Sequence, residues 1–218
     1  MEYLNEIKAK ELICEYGKLV YAKGLVAGNG GNLSIRTGPN EMWITPTMES
    51  KGRLTPEMLV KLDLDGNILS EPYIPSTESR MHAGLYRENP SVGAVVHAHP
   101  PVATAFACLG KNIPVNMLPE AVILFGKELA VTPFAMPGTD DVPLSVKPYA
   151  KTHRALLIGN HGALTWAASM KEAYFAMETL EQYCKIYLIA EKLIGSAEFV
   201  PAESIKPLMA LHEKLLEG

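Results

Sequence analysis

Strands alternating with helices along one uninterrupted chain predict an α/β fold, with residues 1–218 forming a single domain. Three observations carry that expectation. Short apolar runs, among them Val92-Gly93-Ala94-Val95-Val96 and Ala155-Leu156-Leu157-Ile158, read as buried strands. Segments between them place apolar residues at helical spacing. No repeat, linker or low-complexity stretch divides the chain, and its 48% apolar content suffices for one sizeable core.

Residues 3–23 set Leu4, Ile7, Leu12, Tyr16, Leu19 and Val20 along one helical face, and Gly24 stops the helix. Leu33 to Arg36 reads as a short strand, and Met42 to Thr47 as the next strand with its exit. Leu59 to Leu64 alternates like a half-buried strand and meets a hairpin signal at Asp65-Gly66. A helix opens near Pro75-Ser76-Thr77-Glu78, with Ser76 or Thr77 as its cap, and runs to about Glu88. The strand 92–96 follows and ends at Pro100-Pro101. A helix covers about 101–109, short elements cover 120–125 and 129–134, and a helix over 141–152 leads into the strand 155–158. The longest helix is expected over 169–194, with Met170, Ala173, Tyr174, Met177, Leu180 and Tyr183 as a core or subunit-contact stripe. A last amphipathic helix covers 203–217.

The balance of charges excludes several classes of function. A net charge of −4 gives no general nucleic-acid surface, so an anionic substrate needs a local cradle. No apolar run approaches the ~20 residues that span a membrane. Glu2, Asn5 and Glu6 interrupt any leader-like apolar segment, so no signal peptide is expected. Cys14, Cys108 and Cys184 are scattered without a CxxC pair and read as buried free thiols, which fits a reducing cytoplasm.

The chemistry concentrates at His97-Ala98-His99. Side chains two apart on a strand share a face, so both imidazoles reach one ion from a rigid element. His161 repeats the context after Ile158-Gly159-Asn160. The three are either satisfied, partly buried side chains at strand ends or the imidazoles of a zinc site of the catalytic kind, with a fourth position open. His82, His153 and His212 lack such a context and read as surface or helix residues. Gly28-Asn29-Gly30-Gly31-Asn32 is either an ordinary glycine-rich turn or a nest of backbone N–H groups for an oxyanion. Ser76-Thr77-Glu78 is either a plain helix start or the source of a carboxylate beside the histidines. Glu120, at the edge of Ala121 to Phe125, is either exposed or functional.

Together these segments resemble the class II aldolase/adducin family, closest to its L-fuculose-phosphate aldolase-like enzymes. The resemblance rests on GNGGNLSIR (28–36), WITPT (43–47), PSTESRMH (75–82), VVHAHPPVATA (95–105) and LLIGNHGALT (156–165), in the family's order. It implies a three-layer α/β/α sandwich with a central, largely antiparallel sheet, assembled as a homotetramer with active sites at subunit interfaces. It implies that His97, His99 and His161 bind Zn2+ or another divalent transition metal, with Glu78 as acid/base and as a further ligand. Gly31, Asn32, Thr47, Ser76 and Thr77 match positions that hold a substrate phosphate. The partner it implies is a small phosphorylated sugar, a ketose 1-phosphate cleaved to dihydroxyacetone phosphate and an aldehyde. Epimerase, decarboxylase, dehydratase and adducin-like interaction roles are the alternatives within the resemblance.

Three positions depart from the aldolase pattern. Met48 stands where the fuculose-phosphate aldolases have glycine, and no tyrosine follows Tyr187. Glu120 falls near the position of the aldolases' first catalytic tyrosine, where some dehydratases of the superfamily carry a glutamate, which makes it a candidate second acid/base.

Overall fold

The computed structural model describes residues 2–70 and 72–217. The first helix, α1 (Glu6–Ala22), starts where the Asn5 side chain accepts the Lys8 N–H, an N-cap that meets one of the free donors of the first turn. Strands β1 (Asn32–Gly38) and β2 (Glu41–Ile44) form a hairpin, and β3 (Val60–Asp63) pairs with β2. The Asp65-Gly66 turn forms as the sequence predicts: Asp63 Oδ1 accepts from the backbone N–H groups of Asp65 and Asn67, and Gly66 takes a positive φ of 96°.

Helix α2 (Ser79–Glu88) precedes β4 (Ala94–Ala98), and α3 (Pro101–Ala107) follows it. A short hairpin, β5 (Ile113–Pro114) with β6 (Glu128–Leu129), flanks α4 (Pro119–Phe125). Next come α5 (Asp141–Val146), the hairpin β7 (Ala155–Ile158) and β8 (Gly162–Ala167), α6 (Met170–Tyr187) and α7 (Ala202–Glu217).

The six long strands order as β3-β2-β1-β4-β8-β7, each pair antiparallel, with one parallel bridge from Val131 to Leu157 at the β7 edge. Alternation along each strand divides two cores. Leu33, Ile35, Val96, Ala98, Leu157 and Ala163 face α1, α3 and α6. Met42, Ile44, Val95, Leu156, Leu164 and Trp166 share the other core with Met81, Leu85 and Tyr86 of α2 and with Val142 and Val146 of α5. Helices therefore cover both faces, and the three-layer sandwich with a largely antiparallel sheet is the observed architecture.

Several boundaries differ from the sequence reading. The helix expected over 141–152 stops at Val146 and continues as a 3-10 turn over Lys147–Tyr149, because Pro148 has no N–H for the helical ladder. The helix expected over 169–194 turns π-helical from Leu188. The capping box at its start, Ser169 with Glu172, is present. The strand β8 was not foreseen, since Gly-Asn-His-Gly is a hairpin turn and not a strand end. Cys108 is exposed at the end of α3, whereas Cys14 and Cys184 are buried free thiols. The α6 stripe, Met170 to Tyr183, lies in the core. Among the described residues, no helix is long and apolar enough to cross a membrane.

Candidate metal centre

Strand β4 is the scaffold of the site. It runs between β1 and β8, with His97 opposite Asn32 on one side and Leu164 on the other. His97 shares the face of Val95, so its ring emerges on the α2 side of the sheet. His99 stands just past the strand end, where its N–H donates to Leu25 O. Glu181 of α6 accepts the N–H groups of Val102 and Ala103, which anchors the start of α3 directly behind the His-x-His pair.

His161 arrives on the turn of the β7–β8 hairpin, and each residue of that turn is fixed by geometry. Asn160 is left-handed, with φ 56°, a conformation asparagine tolerates. A side-chain carbon on Gly159 would lie 2.5 Å from Thr132 O, and one on Gly162 would lie 2.6 Å from Ala98 O. The same logic governs the first glycine-rich turn. Gly31 has φ 71°, and a side-chain carbon there would stand 2.7 Å from His97 O. The turn at 28–32 is thus pressed against the histidine pair.

The three histidines converge. One ring nitrogen of each of His97, His99 and His161 lies within 4.8 Å of the others. His97 Nδ1 donates to the Ala163 carbonyl at 2.9 Å, an acceptor only, so Nε2 keeps its lone pair toward the cluster. His97 Nε2 is 3.0 Å from His99 Nε2 and 3.2 Å from Glu78 Oε2. His161 Nε2 is 3.0 Å from Glu78 Oε1, yet that oxygen accepts no well-aligned hydrogen bond, and His161 Nδ1 is likewise buried without a partner. Three imidazole nitrogens and an under-satisfied carboxylate oxygen at one point are the donor set of a divalent transition cation. The residues present fit such an ion.

Glu78 is the N-cap residue of α2, yet its side chain makes no cap hydrogen bond and turns into the cluster. Neither Ser76 nor Thr77 is the cap. Burial would raise the Glu78 carboxyl, but His97 and His161 outweigh it and hold the group well below the usual carboxylate range. Burial pushes His99 down to about 4, helped by its two histidine neighbours.

A buried relay holds Glu78 from behind. Asn32 Nδ2 donates to Glu78 Oε2 at 2.7 Å and to Ser76 Oγ at 3.0 Å. Asn32 Oδ1 lies 2.6 Å from His82 Nε2, His82 Nδ1 lies 2.7 Å from Ser34 Oγ, and Ser34 Oγ lies 2.7 Å from Tyr86 Oη. His82 is a helix residue, the second of the two expected readings, but it is fully buried and its part in this relay was missed. The available signal was its spacing: His82 is four residues after Glu78, one turn along the same helix face.

The residues matched to a phosphate site are also adjacent. Thr47 N donates to Ile74 O and Ser76 N to Thr45 O, so the exit of β2 is laced to the segment before α2. Gly31, Asn32 and Ser76 are buried, Thr47 is half-buried and Thr77 is exposed. Met48 is 75% exposed in a left-handed conformation, φ 62°, and its Sδ accepts from Asn29 Nδ2 at 3.2 Å. Glu120 stands apart. It is exposed in the first turn of α4, lines an open cleft with Lys23, Leu25 and Glu178, and makes no hydrogen bond or ion pair with the cluster among the described residues.

Comparison with known proteins agrees with this geometry. The Class II Aldolase and Adducin N-terminal domain family matches residues 11–188. A 3-oxo-tetronate 4-phosphate decarboxylase of Haemophilus influenzae is 34% identical over 188 residues, covering 84% of this chain and 89% of that protein. An L-fuculose phosphate aldolase of Methanococcus maripaludis is 35% identical over 176 residues, covering 81% of this chain and 94% of that protein. A solved L-fuculose 1-phosphate aldolase superposes with a TM-score of 0.88 at 28% identity, covering 97% of this chain and 99% of the other. A fold, a histidine cluster and a family match over most of the chain coincide, and the chain belongs to the class II aldolase family.

Proposed function

We propose that this protein is a metal-dependent lyase that breaks the bond between the α and β carbons of the carbonyl in a small phosphorylated ketose, leaving the electron pair on the α carbon. An L-fuculose 1-phosphate-like substrate would yield dihydroxyacetone phosphate and an aldehyde. The observation that carries this reading is Glu78: a buried carboxylate held by Asn32 against His97 and His161. His97, His99 and His161 would hold the ion, with Glu78 as a further ligand before substrate enters. Zn2+, or another divalent transition metal, would supply Lewis acidity for the substrate carbonyl when bound.

The chain's own groups do the rest. Glu78 moves the proton at the carbon that loses its bond partner, and Asn32 orients the carboxylate for that transfer. Gly31, Asn32, Thr47, Ser76 and Thr77 receive the phosphate and set the register of the sugar against Glu78. Glu120 is proposed as the second acid/base for the departing hydroxyl, from the same chain or a neighbouring subunit. A homotetramer with sites at its interfaces, working in the cytoplasm, completes the reading. The free thiols are in keeping with that compartment.

A decarboxylase acting on a 3-oxo sugar-acid phosphate is the second reading. Similarity to the Haemophilus influenzae decarboxylase supports it. Both reactions break a bond next to a carbonyl and leave the electron pair in the same place. They differ in whether an aldehyde or carbon dioxide departs. Parallel assays on metal-loaded protein separate them: L-fuculose 1-phosphate coupled to dihydroxyacetone phosphate detection, and 3-oxo-tetronate 4-phosphate coupled to carbon dioxide detection. Aldehyde release supports the aldolase, carbon dioxide alone the decarboxylase, and neither product removes the lyase reading.

A further inference from the structure

Lys51 is 1% exposed, a burial that lysine rarely accepts without a partner. It begins a 3-10 turn over Lys51–Arg53 that packs on α1, and its carbonyl is so close to Gly17 that a side-chain carbon there would lie 2.9 Å away. The side chain therefore points away from α1 and toward the glycine-rich turn. Its Nζ donates to Asn29 O at 2.9 Å and to Glu49 O at 2.5 Å. Both acceptors are neutral carbonyls. Among the described residues no carboxylate lies within ion-pair distance of this ammonium.

The turn that Lys51 supports passes directly against the histidine cluster. A side-chain carbon on Gly30 would lie 3.1 Å from His99 Nδ1. Glu78 and Glu49 are the carboxylates whose attraction reaches the ammonium, and His97 and His99 feel its charge in turn. A lone cation buried beside an anion-accepting turn is costly to keep unless a ligand supplies the missing negative charge. The chain as a whole carries −4, so this charge is local and specific.

We propose that Lys51 is a specificity-determining residue: its buried charge, set behind the Gly28–Asn32 turn, selects a phosphorylated substrate over its unphosphorylated counterpart. The inference rests on the phosphate site of the proposed function and adds to it a residue outside the matched motifs. Lys51 need not touch the phosphate. Acting through its hydrogen bond to Asn29 O, it raises the affinity of that turn for an anion. Burial pushes the lysine down to about 8, against the attraction of Glu49 and Glu78.

The test uses metal-loaded wild type, Lys51→Gln and Lys51→Met, with inorganic phosphate as probe by calorimetry. Glutamine keeps donors for the two carbonyls and removes the charge, whereas methionine removes both. Loss of one partly screened charge at short range predicts phosphate binding weakened by about tenfold or more in Lys51→Gln. KM for the phosphorylated substrate rises in parallel, and KM for an unphosphorylated analogue stays unchanged. Folded Lys51→Gln that binds phosphate as wild type does would overturn the proposal and leave Lys51 as a clamp on the turn. Should Lys51→Met fail to fold, Lys51→Gln alone decides the question. Wild type that binds no phosphate would remove the phosphate site itself, and this inference with it.

Discussion

His82 Nε2 lies 2.6 Å from Asn32 Oδ1, and that single contact fixes the direction of every proton behind the Glu78 carboxylate. Asn32 must present its NH2 to Glu78 and Ser76, so its oxygen must accept from His82. His82 Nδ1 is then an acceptor, Ser34 donates to it, and Tyr86 donates to Ser34. The chain of donors ends on the charged oxygen of Glu78. Burial, with the neighbouring charge of His97, pushes His82 down to about 3, so the ring stays neutral as this scheme needs.

Replacing His82 with leucine leaves Asn32 Oδ1 and Ser34 Oγ without their partners in a dry site. Stability is expected to fall by about 2 kcal/mol or more, the penalty of two unsatisfied buried polar groups. Turnover is expected to fall further than metal content, because the amide of Asn32 is free to flip. Denaturant titration and metal analysis of the variant check this. Unchanged stability would show that the relay carries no load.

The same residue sets a pH dependence for the metal-free protein. An unfolded histidine titrates near 6.5, and folded His82 near 3. Between those values the unfolded chain holds a proton the folded chain does not. Stability therefore falls as pH drops through that window. His97 acts in the opposite sense. Burial would lower it, but Glu78 and the Ala163 carbonyl raise it, so its contribution is present below its unfolded value and fades as pH rises through the raised one. Melting temperatures from neutral pH to about pH 4 should decline in wild type and flatten in His82→Leu. Identical slopes would contradict the assignment.

Met48 predicts a gain. Its φ of 62° is a conformation that costs a non-glycine residue about 1 kcal/mol or more, and its side chain is exposed. Met48→Gly should raise the denaturation free energy by up to about 1 kcal/mol, trimmed by the extra freedom of glycine in the unfolded chain. A loss of stability would mean that the contact from Asn29 to Met48 Sδ outweighs the backbone strain.

Glu78→Gln separates holding the ion from moving the proton. Three imidazoles remain, so the metal should stay. Turnover should drop by about 10²–10⁴, the usual contribution of a positioned acid/base. Steady-state kinetics with metal analysis on one preparation decides it, and full turnover in the variant would remove Glu78 from the proton transfer.

Much of this was legible in the residues. The period of two predicts that His97 and His99 share a strand face; His99 in fact lies just past the end of β4, and the two rings still meet at 3.0 Å. His161 and Glu78 were candidates from their local context, but their meeting with His97 rests on tertiary structure, since a hairpin turn and a helix start bring them to β4 from distant parts of the chain. The resemblance added their roles to that context. His82 was lost because its spacing from Glu78 shows a shared helix face but not what lies against that face, and its partners Asn32 and Ser34 come from a distant strand. β8 was lost because the glycines of 159–162 read as an ending, although their small size serves the close approach to Thr132 and Ala98. Cys108 sits in an apolar run, yet at the open end of α3, where a sequence pattern cannot tell inside from outside.

His97, His99 and His161 are proposed to hold one catalytic ion. Metal content per chain is measured together with turnover of the sugar phosphate, before and after chelation and after zinc is restored, in wild type and in His97→Ala. One ion per chain is expected, with activity lost with the metal and regained with zinc, and neither ion nor activity in the variant. Turnover that persists in fully metal-free protein would rule out a catalytic ion at these three histidines.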